Sequence, residues 1–369
     1  MAEPLPKRVV HVETGRHFYG GAQQVLYIAH GLQARGVDSV LVCPPQSGIA
    51  AEARAAELTV IETPCAGDLD LRFVWRLRQI LADLKPDLVH SHSRRGADFL
   101  GGQAAAMLGL PAVVSRRVDN PESTLMASLR YRRFRRVVAI SEAIATVLEN
   151  VGVEADRIDV IRSAVDTERF QRRVSRERLE REFGIGGDHL ALACAAQLIP
   201  RKGQRLLLEA AAMLREKCPT MRIVLFGQGP EEAALRAQSA KLSLEDTVHF
   251  AGFRDDLDDY LGAFDLLVHP ALAEGLGVIT LKAQAAGVPV VASAAGGLIE
   301  AVHDGETGTL VPPGDVAALT DALRTLLDDS ELRARYARAA PLHMQTSFSI
   351  DAMVEAHLRL YRAVLNDAA

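Results

Sequence analysis

Two charged residues in one glycine-punctuated stretch give the first chemical signal. The segment EGLGVITLKAQAAGVPVVASAAGG (274–297) sets Glu274 in a loop with Gly275, Leu276 and Gly277, and puts Lys282 eight positions later inside an apolar run. A carboxylate there can accept from hydroxyls and face a developing positive charge, whereas a lysine can only donate. Three further junctions of this type stand in the same half. AAQLIPRKGQ (195–204) places Gln197, Arg201, Lys202 and Gly203 between a strand-like and a helix-like run. LFGQGPEEAAL (225–235) supplies Gly227 and Gly229, and ASAAGGLIEAV (292–302) supplies Gly296 and Gly297 at the head of a helix. Cations, helix-start amides and one acid on one rim suit a phosphate-bearing, hydroxylated ligand such as a nucleotide sugar. Each junction alone reads as a solvated loop; together they carry the argument.

The first half holds a second set. GRHFYGGAQQ sets Gly20 and Gly21 before a helix, where backbone amides favour an anion. The spacing is not GxGxxG, and a plain tight turn explains the glycines equally well. His90 and His92 fall on one face of DLVHSHS; with no third ligand evident, a structural or acceptor-contacting role is expected and a metal is not. After PAVVSRR, Arg117 beside Arg116 is placed to meet a diphosphate or an anionic acceptor, and Asp119 is a candidate base. ASLRYRRFRR (127–136) gathers Arg130, Arg132, Arg133, Arg135 and Arg136 around Tyr131 and Phe134 with no acid inside it. That asymmetry fits contact with anionic lipid, and equally a solvated helix end with its aromatics turned inward.

These residues must be held by a scaffold, and its rhythm is plain. Short β-branched runs (9–14, 39–44, 59–64, 87–93, 111–117, 136–141, 158–163) alternate with amphipathic segments such as 22–36 and 71–86. Strands apolar on both faces and spaced by helices indicate a doubly wound parallel sheet. The charged stretch 166–189 interrupts the pattern and reads as a linker into a second domain. The alternation then restarts (190–197, 222–227, 248–253, 265–270, 289–293, 308–312), and helices close the chain at 316–328, 331–339 and 351–365. A length of 369 residues with 49 % hydrophobic composition supports two α/β domains. In such sheets ligands bind beyond the carboxyl ends of the strands, where the residues above fall. A net charge of −5 argues against nucleic acid as a partner. Four scattered cysteines and the lack of a secretory or membrane-spanning run lead us to expect a cytoplasmic protein with free thiols, able to touch the inner face of the membrane.

The second half resembles the retaining glycosyltransferases of family 4 (group 1), which have the GT-B architecture. The likeness runs from about residue 9 to 365. It rests on LIPRKGQ, FGQGPEEAALR, VHFAGFRDDLDDYLGAFDLLVHPALAEGLG and AAGVPVVASAAGGLIEAVHDGETGTLVPPGD, and in the first half on GGAQQVL and KPDLVHSHS. The resemblance implies two Rossmann-like domains facing across a cleft: 1–165 for the acceptor, 166–348 for the nucleotide sugar, and a final segment, 349–369, crossing back. It implies donor contacts by Gly21, Gln197, Lys202, Gly227, Gly229, Glu274, Gly275, Leu276, Gly277, Lys282 and Gly297, and acceptor contacts by His92, Arg116 and Arg117. It also implies front-side transfer from a donor, taken as UDP-linked, with no cofactor beyond the donor and no metal. Lys202, Arg201 and the amides near Gly297 would stabilise the leaving group, and the product would be a cell-surface polysaccharide or lipopolysaccharide. Two positions depart from the family pattern. A second acid belongs at 282, where it would accept from the ribose diol, and an arginine belongs at 197. Lys282 either replaces part of the missing charge or weakens the site. A binding protein without turnover, and a nucleotide-sugar epimerase, are the alternatives these departures leave open.

Overall fold

The computed structural model describes residues 5–92, 96–171 and 174–367. The chain divides into two compact units, one of Met1–Ala164 with Ile350–Ala369, the other of Val165–Ser349. In unit 1 the strands are β1 (Arg8–Val12), β2 (Asp38–Cys43), β3 (Thr59–Glu62), β4 (Leu88–Ser91), β5 (Ala112–Arg116), β6 (Arg136–Ala139) and β7 (Ile158–Val160). Their order is β3-β2-β1-β4-β5-β6-β7, and every pairing is parallel. In unit 2 the strands are β8 (Leu190–Ala195), β9 (Met221–Phe226), β10 (Val248–Gly252), β11 (Leu266–His269), β12 (Val290–Ser293) and β13 (Gly308–Val311), in the order β10-β9-β8-β11-β12-β13. Both sheets reverse their winding once, between β1 and β4 and between β8 and β11. A crevice opens beyond the carboxyl ends of the strands at such a switch point.

The central strands are buried on both faces, which is why they read as unbroken apolar runs. Edge strand β3 is less covered, with Thr59 and Glu62 exposed and Val60 and Ile61 half-buried between them. The core of unit 2 joins Leu192, Ile223, Leu225, Leu266 and Val268 to Leu319, Leu323 and Leu326. In unit 1, Val9, Leu88 and Val113 pack with Ile28 and Leu32 of helix Gly20–Gln33, and with Val354, Leu358 and Tyr361 of the final helix, Ile350–Asn366. Gly31 makes that helix pair close: a Cβ there would lie 2.4 Å from Val354 Cγ2.

Helix Leu71–Leu84 is capped by Asp70, whose carboxylate accepts from the Phe73 amide, and ends at left-handed Lys85 before Pro86. The charged stretch after residue 165 is not all linker: it contains helix Glu177–Phe183, stopped at left-handed Gly184. The helix expected over 331–339 runs from Ser330 to Ser347 with Pro341 inside it. One lost backbone bond is outweighed by burial of Tyr336, Ala340 and Met344 along one face. All four cysteines are free thiols. Among the described residues no helix is long and apolar enough to cross a membrane.

Candidate active site

In unit 2, the segments leaving β8 and β11 meet at the switch point. After β8 the chain makes a short turn, Pro200–Lys202, which ends at left-handed Gly203. A Cβ at Gly203 would lie 1.9 Å from the Pro270 carbonyl oxygen, so glycine lets the two segments touch. The Leu272 amide donates to the Arg201 carbonyl at 2.8 Å and fixes their register. Lys202 is thereby brought to Glu274. Its ammonium donates to Glu274 Oε2, with both side chains nearly buried. His269, the last residue of β11, donates from Nε2 to the same oxygen at 2.7 Å, and the Gly275 amide donates to Oε1 at 3.1 Å. A carboxylate only accepts, so the His269 proton sits on Nε2.

Burial alone would raise the Glu274 carboxyl. The hydrogen bond from His269, with the Lys202 ammonium, outweighs it and holds the group well below the usual carboxylate range. Glu274 is therefore an anion, oriented by two donors and clamped beside a cation. His269 is the member that the sequence reading missed. The signal was available in VHP, a histidine five residues before the acid at the end of a buried strand.

Of the remaining expected donor residues, some support this group and others lie away from it. Gly297 donates to the Glu274 carbonyl at 3.2 Å, and a Cβ on Gly296 would lie 2.0 Å from that same oxygen. Cβ atoms on Gly227 and Gly229 would likewise strike the carbonyls of Ala196 and Leu198. These glycines let loop backbones pack on one another, a reason independent of any ligand. Leu276 is buried, and Gly277 starts helix Val278–Ala285 in the left-handed region. Gln197 has an exposed side chain, while its carbonyl accepts from Gln204 at 3.0 Å. Arg201 is half-buried. Lys282 is placed apart from the Glu274 group: its ammonium bonds both Asp258 oxygens, at 3.1 and 2.8 Å. Arg169 lies 3.5 Å from the same carboxylate.

Unit 1 builds its edge differently. His11 on β1 pairs in register with His90 on β4, and His92 follows two residues on. All three are buried and come within 4.8 Å of one another through one ring nitrogen each. His11 is thus the third imidazole that the sequence reading lacked. Hydrogen-bond direction nonetheless opposes convergence on a cation. Arg117 can only donate, and it reaches His92 Nδ1 at 3.4 Å. A neutral His92 then carries its proton on Nε2 and donates to His11 Nδ1 at 3.0 Å. That leaves the His11 proton on Nε2, which has no hydrogen-bond partner.

Burial pushes His11 down to about 3 and His90 and His92 well below their ordinary value, so the rings are neutral. His90 bonds Tyr361 at 2.7 Å and Ser115 at 2.8 Å, tying the edge to the final helix. Burial also brings Arg117 down to about 10, with Glu13 opposing. The Arg117 Cδ lies 3.6 Å from where a Gly21 Cβ would stand, so Arg117, His92 and the start of helix Gly20–Gln33 form one cluster. Arg116 is turned inward instead and bonds Val118, Glu122 and Tyr131. Asp119 lies half-buried past the end of β5.

The arginine-rich stretch separates into two groups. Arg130 is buried and paired with Asp98 and Glu122, and Arg136 pairs with Asp159. Tyr131 and Phe134 are buried, which leaves Arg132, Arg133 and Arg135 exposed.

Comparison with known proteins finds relatives of both units. The model of glycosyl transferases group 1 matches residues 175–343, and that of glycosyltransferase family 4 matches residues 18–169. The chain is 30 % identical over 401 residues to the D-inositol 3-phosphate glycosyltransferase of Streptomyces scabiei (strain 87.22), covering 100 % of this chain and 85 % of the relative. It is 32 % identical over 275 residues to the GDP-mannose-dependent alpha-(1-6)-phosphatidylinositol monomannoside mannosyltransferase of Mycolicibacterium smegmatis, covering 71 % and 69 %. Among solved structures, Anabaena HepE in complex with UDP superposes with a TM-score of 0.84 at 22 % identity, over 96 % of this chain and 99 % of that one. The chain belongs to the group 1, family 4 glycosyltransferases, with the GT-B fold.

Proposed function

We propose that this chain is a retaining hexosyltransferase that moves a sugar from a UDP-linked donor to a glycan or glycolipid acceptor in the assembly of a cell-surface polysaccharide or lipopolysaccharide. The observation that carries the reading is the Lys202–Glu274–His269 group at the switch point of unit 2. A glycosyl diphosphate offers an anionic leaving group beside a hydroxylated sugar. An ammonium and an oriented carboxylate side by side serve those two parts. In the proposed step the donor C1–O bond breaks and the acceptor O–C1 bond forms on the same face. The acceptor proton passes to the departing β-phosphate oxygen. Lys202, Arg201 and the amides near Gly297 balance the charge that grows on the diphosphate. Glu274 holds sugar hydroxyls and faces the positive charge at C1. The scheme uses the protein's own cations in place of a divalent ion and needs no cofactor beyond the donor.

On the acceptor side, Arg117, His92 and the Gly21 helix start suit an anionic group, and Asp119 is the alternative base to the phosphate oxygen. Arg116 is left to a supporting role by its internal bonds. A phosphorylated acceptor is in keeping with the two relatives, whose names specify inositol 3-phosphate and a phosphatidylinositol mannoside. A glycolipid acceptor would place the enzyme at the inner face of the membrane.

Thermal-shift measurement against UDP, GDP, ADP and CMP, with and without magnesium, tests the donor assignment. A ligand of the folded state raises Tm by mass action. A rise with UDP alone, equal in both conditions, is the expected result. A rise with GDP instead would reassign the base. No rise with any nucleotide would favour a family member that binds without turnover, the reading to which Lys282 and Gln197 point.

A further inference from the structure

Helix Leu71–Leu84 buries one face and leaves another uncovered. Phe73, Val74, Leu77 and Leu81 point into unit 1. Leu71 and Trp75 are 68 % and 63 % exposed, and Leu69 in the preceding loop is 93 % exposed. Leu71, Trp75 and Arg78 fall at i, i+4 and i+7, one stripe of the helix surface, with exposed Arg72 beside them. Arg76 is paired with Asp70 at 2.8 Å, which leaves Asp68 as the exposed acid of the loop.

The stripe has neighbours. The helix packs on the segment Ala97–Ala106, which packs in turn on helix Thr124–Tyr131. There Leu125 is 71 % and Met126 48 % exposed. Both helices follow strands of a parallel sheet and run back antiparallel to them, so both begin at its carboxyl edge. Five large exposed apolar side chains thus stand along the edge at which unit 1 presents Arg117 and His92.

We propose that this edge is a docking surface for an anionic lipid bilayer. Leu69, Leu71 and Trp75 enter the interfacial layer, Leu125 and Met126 extend the contact, and Arg72 and Arg78 meet lipid phosphates. Charge selects this occupant. On a chain of net charge −5, the uncovered apolar stripe is flanked by Arg72 and Arg78, which form no ion pair among the described residues. A second copy docked on the same patch would set those arginines against one another. Tryptophan and arginine also favour the zone where an apolar body meets a polar headgroup. The inference goes beyond the transferase chemistry, because vesicle binding is read without any donor or acceptor. It also moves the membrane contact away from the arginine-rich stretch, whose aromatics are buried, to a helix whose aromatic is not.

Trp75 is the single tryptophan of the chain and reports on its own site. The full chain is titrated with vesicles of phosphatidylglycerol and phosphatidylcholine while tryptophan emission is recorded, then with vesicles carrying brominated acyl chains. Expected are a blue shift and bromine quenching with phosphatidylglycerol, both reduced in about 0.5 M salt. Leu69→Ser with Leu71→Ser should weaken partitioning roughly tenfold or more at unchanged Tm. Arg72→Gln with Arg78→Gln should remove the preference for the anionic lipid. Three results would overturn the proposal: no vesicle binding, sedimentation with vesicles while Trp75 emission stays unchanged, or a blue shift that follows protein concentration without lipid.

Discussion

The two units wind their sheets alike and furnish the switch points in opposite ways. Unit 2 places full charges there, Lys202 against Glu274, with His269 holding the carboxylate. Unit 1 places neutral imidazoles there, His11, His90 and His92, with the Arg117 guanidinium beside His92. In the function proposed above, the unit 2 edge would stabilise charge that changes during a reaction. The other is built to present a fixed cation on a stiff, uncharged base. The same topology thus serves two chemical purposes, and the difference lies in a few side chains at the strand ends.

The comparison breaks first if the charged edge proves dispensable. Glu274→Gln and Lys202→Met should each lower kcat by about 10²–10³ with Tm kept within a few degrees, judged by donor turnover. The double variant should lose little more than either single one, because the two groups act as a unit. His92→Gln should cost far less in kcat and show mainly in acceptor KM. A loss from His92→Gln as large as that from Lys202→Met would mean that unit 1 also carries charge-stabilising chemistry.

The neutral edge has its own signature in pH. Burial, with a smaller contribution from His357, brings His11 down to about 3, and burial brings His357 down to about 4, against an ordinary value near 6.5. Below about pH 6.5 the unfolded chain takes up protons that the folded unit refuses, so stability falls as pH drops through that window and levels off below the folded values. Above about pH 6.5 the contribution is complete. A single group shifted as far as His357 accounts for about 3 kcal/mol at most. Urea unfolding followed by Trp75 reads unit 1, and its midpoint should fall between about pH 7 and pH 5. His357→Leu should flatten that dependence. A pH-independent midpoint would show that the imidazoles are solvated.

How legible each edge was follows from how local its contacts are. The thirteen strands stood out as runs of β-branched residues, because parallel strands buried on both faces have no alternation to hide them. Glu274, Lys202 and the glycines could be picked out because each lies just after a strand and before a helix. His269 went unnoticed inside a strand. His11, Tyr361 and His357 were invisible because their partners lie about 80 to 270 residues away, as in His11–His92 and His90–Tyr361. The arginine-rich stretch misled in part because its acids, Asp98 and Glu122, lie outside it. The helix expected over 331–339 came out too short because burial of Tyr336, Ala340 and Met344 along one face cannot be weighed from a local rule.

Tyr361 measures how firmly the neutral edge is fixed. Tyr361→Phe removes the donor or acceptor at His90 Nδ1 and keeps the ring in the core. We expect a loss of about 1–2 kcal/mol in urea unfolding, with turnover nearly unchanged. Turnover falling in parallel with stability would show that the final helix positions His92 and Arg117 for the reaction.

The smallest expected effect is at Lys282, one of the two residues that depart from the family pattern. Its ammonium is bonded to both oxygens of Asp258, and Arg169 remains 3.5 Å from that carboxylate when the lysine is removed. Lys282→Met should therefore cost about 1 kcal/mol of stability, less than breaking a nearly buried pair outright, because Asp258 keeps a cationic partner. Lys282→Glu sets like charges together and should cost more. The nucleotide readout points the other way from a simple charge replacement. With the lysine held by Asp258, calorimetric titration of UDP should give Kd values for wild type and Lys282→Met within about threefold, a difference worth under 1 kcal/mol. A tenfold weakening in Lys282→Met would show that the ammonium leaves Asp258 for the ligand. It would then belong with Lys202 among the charges of the reacting edge.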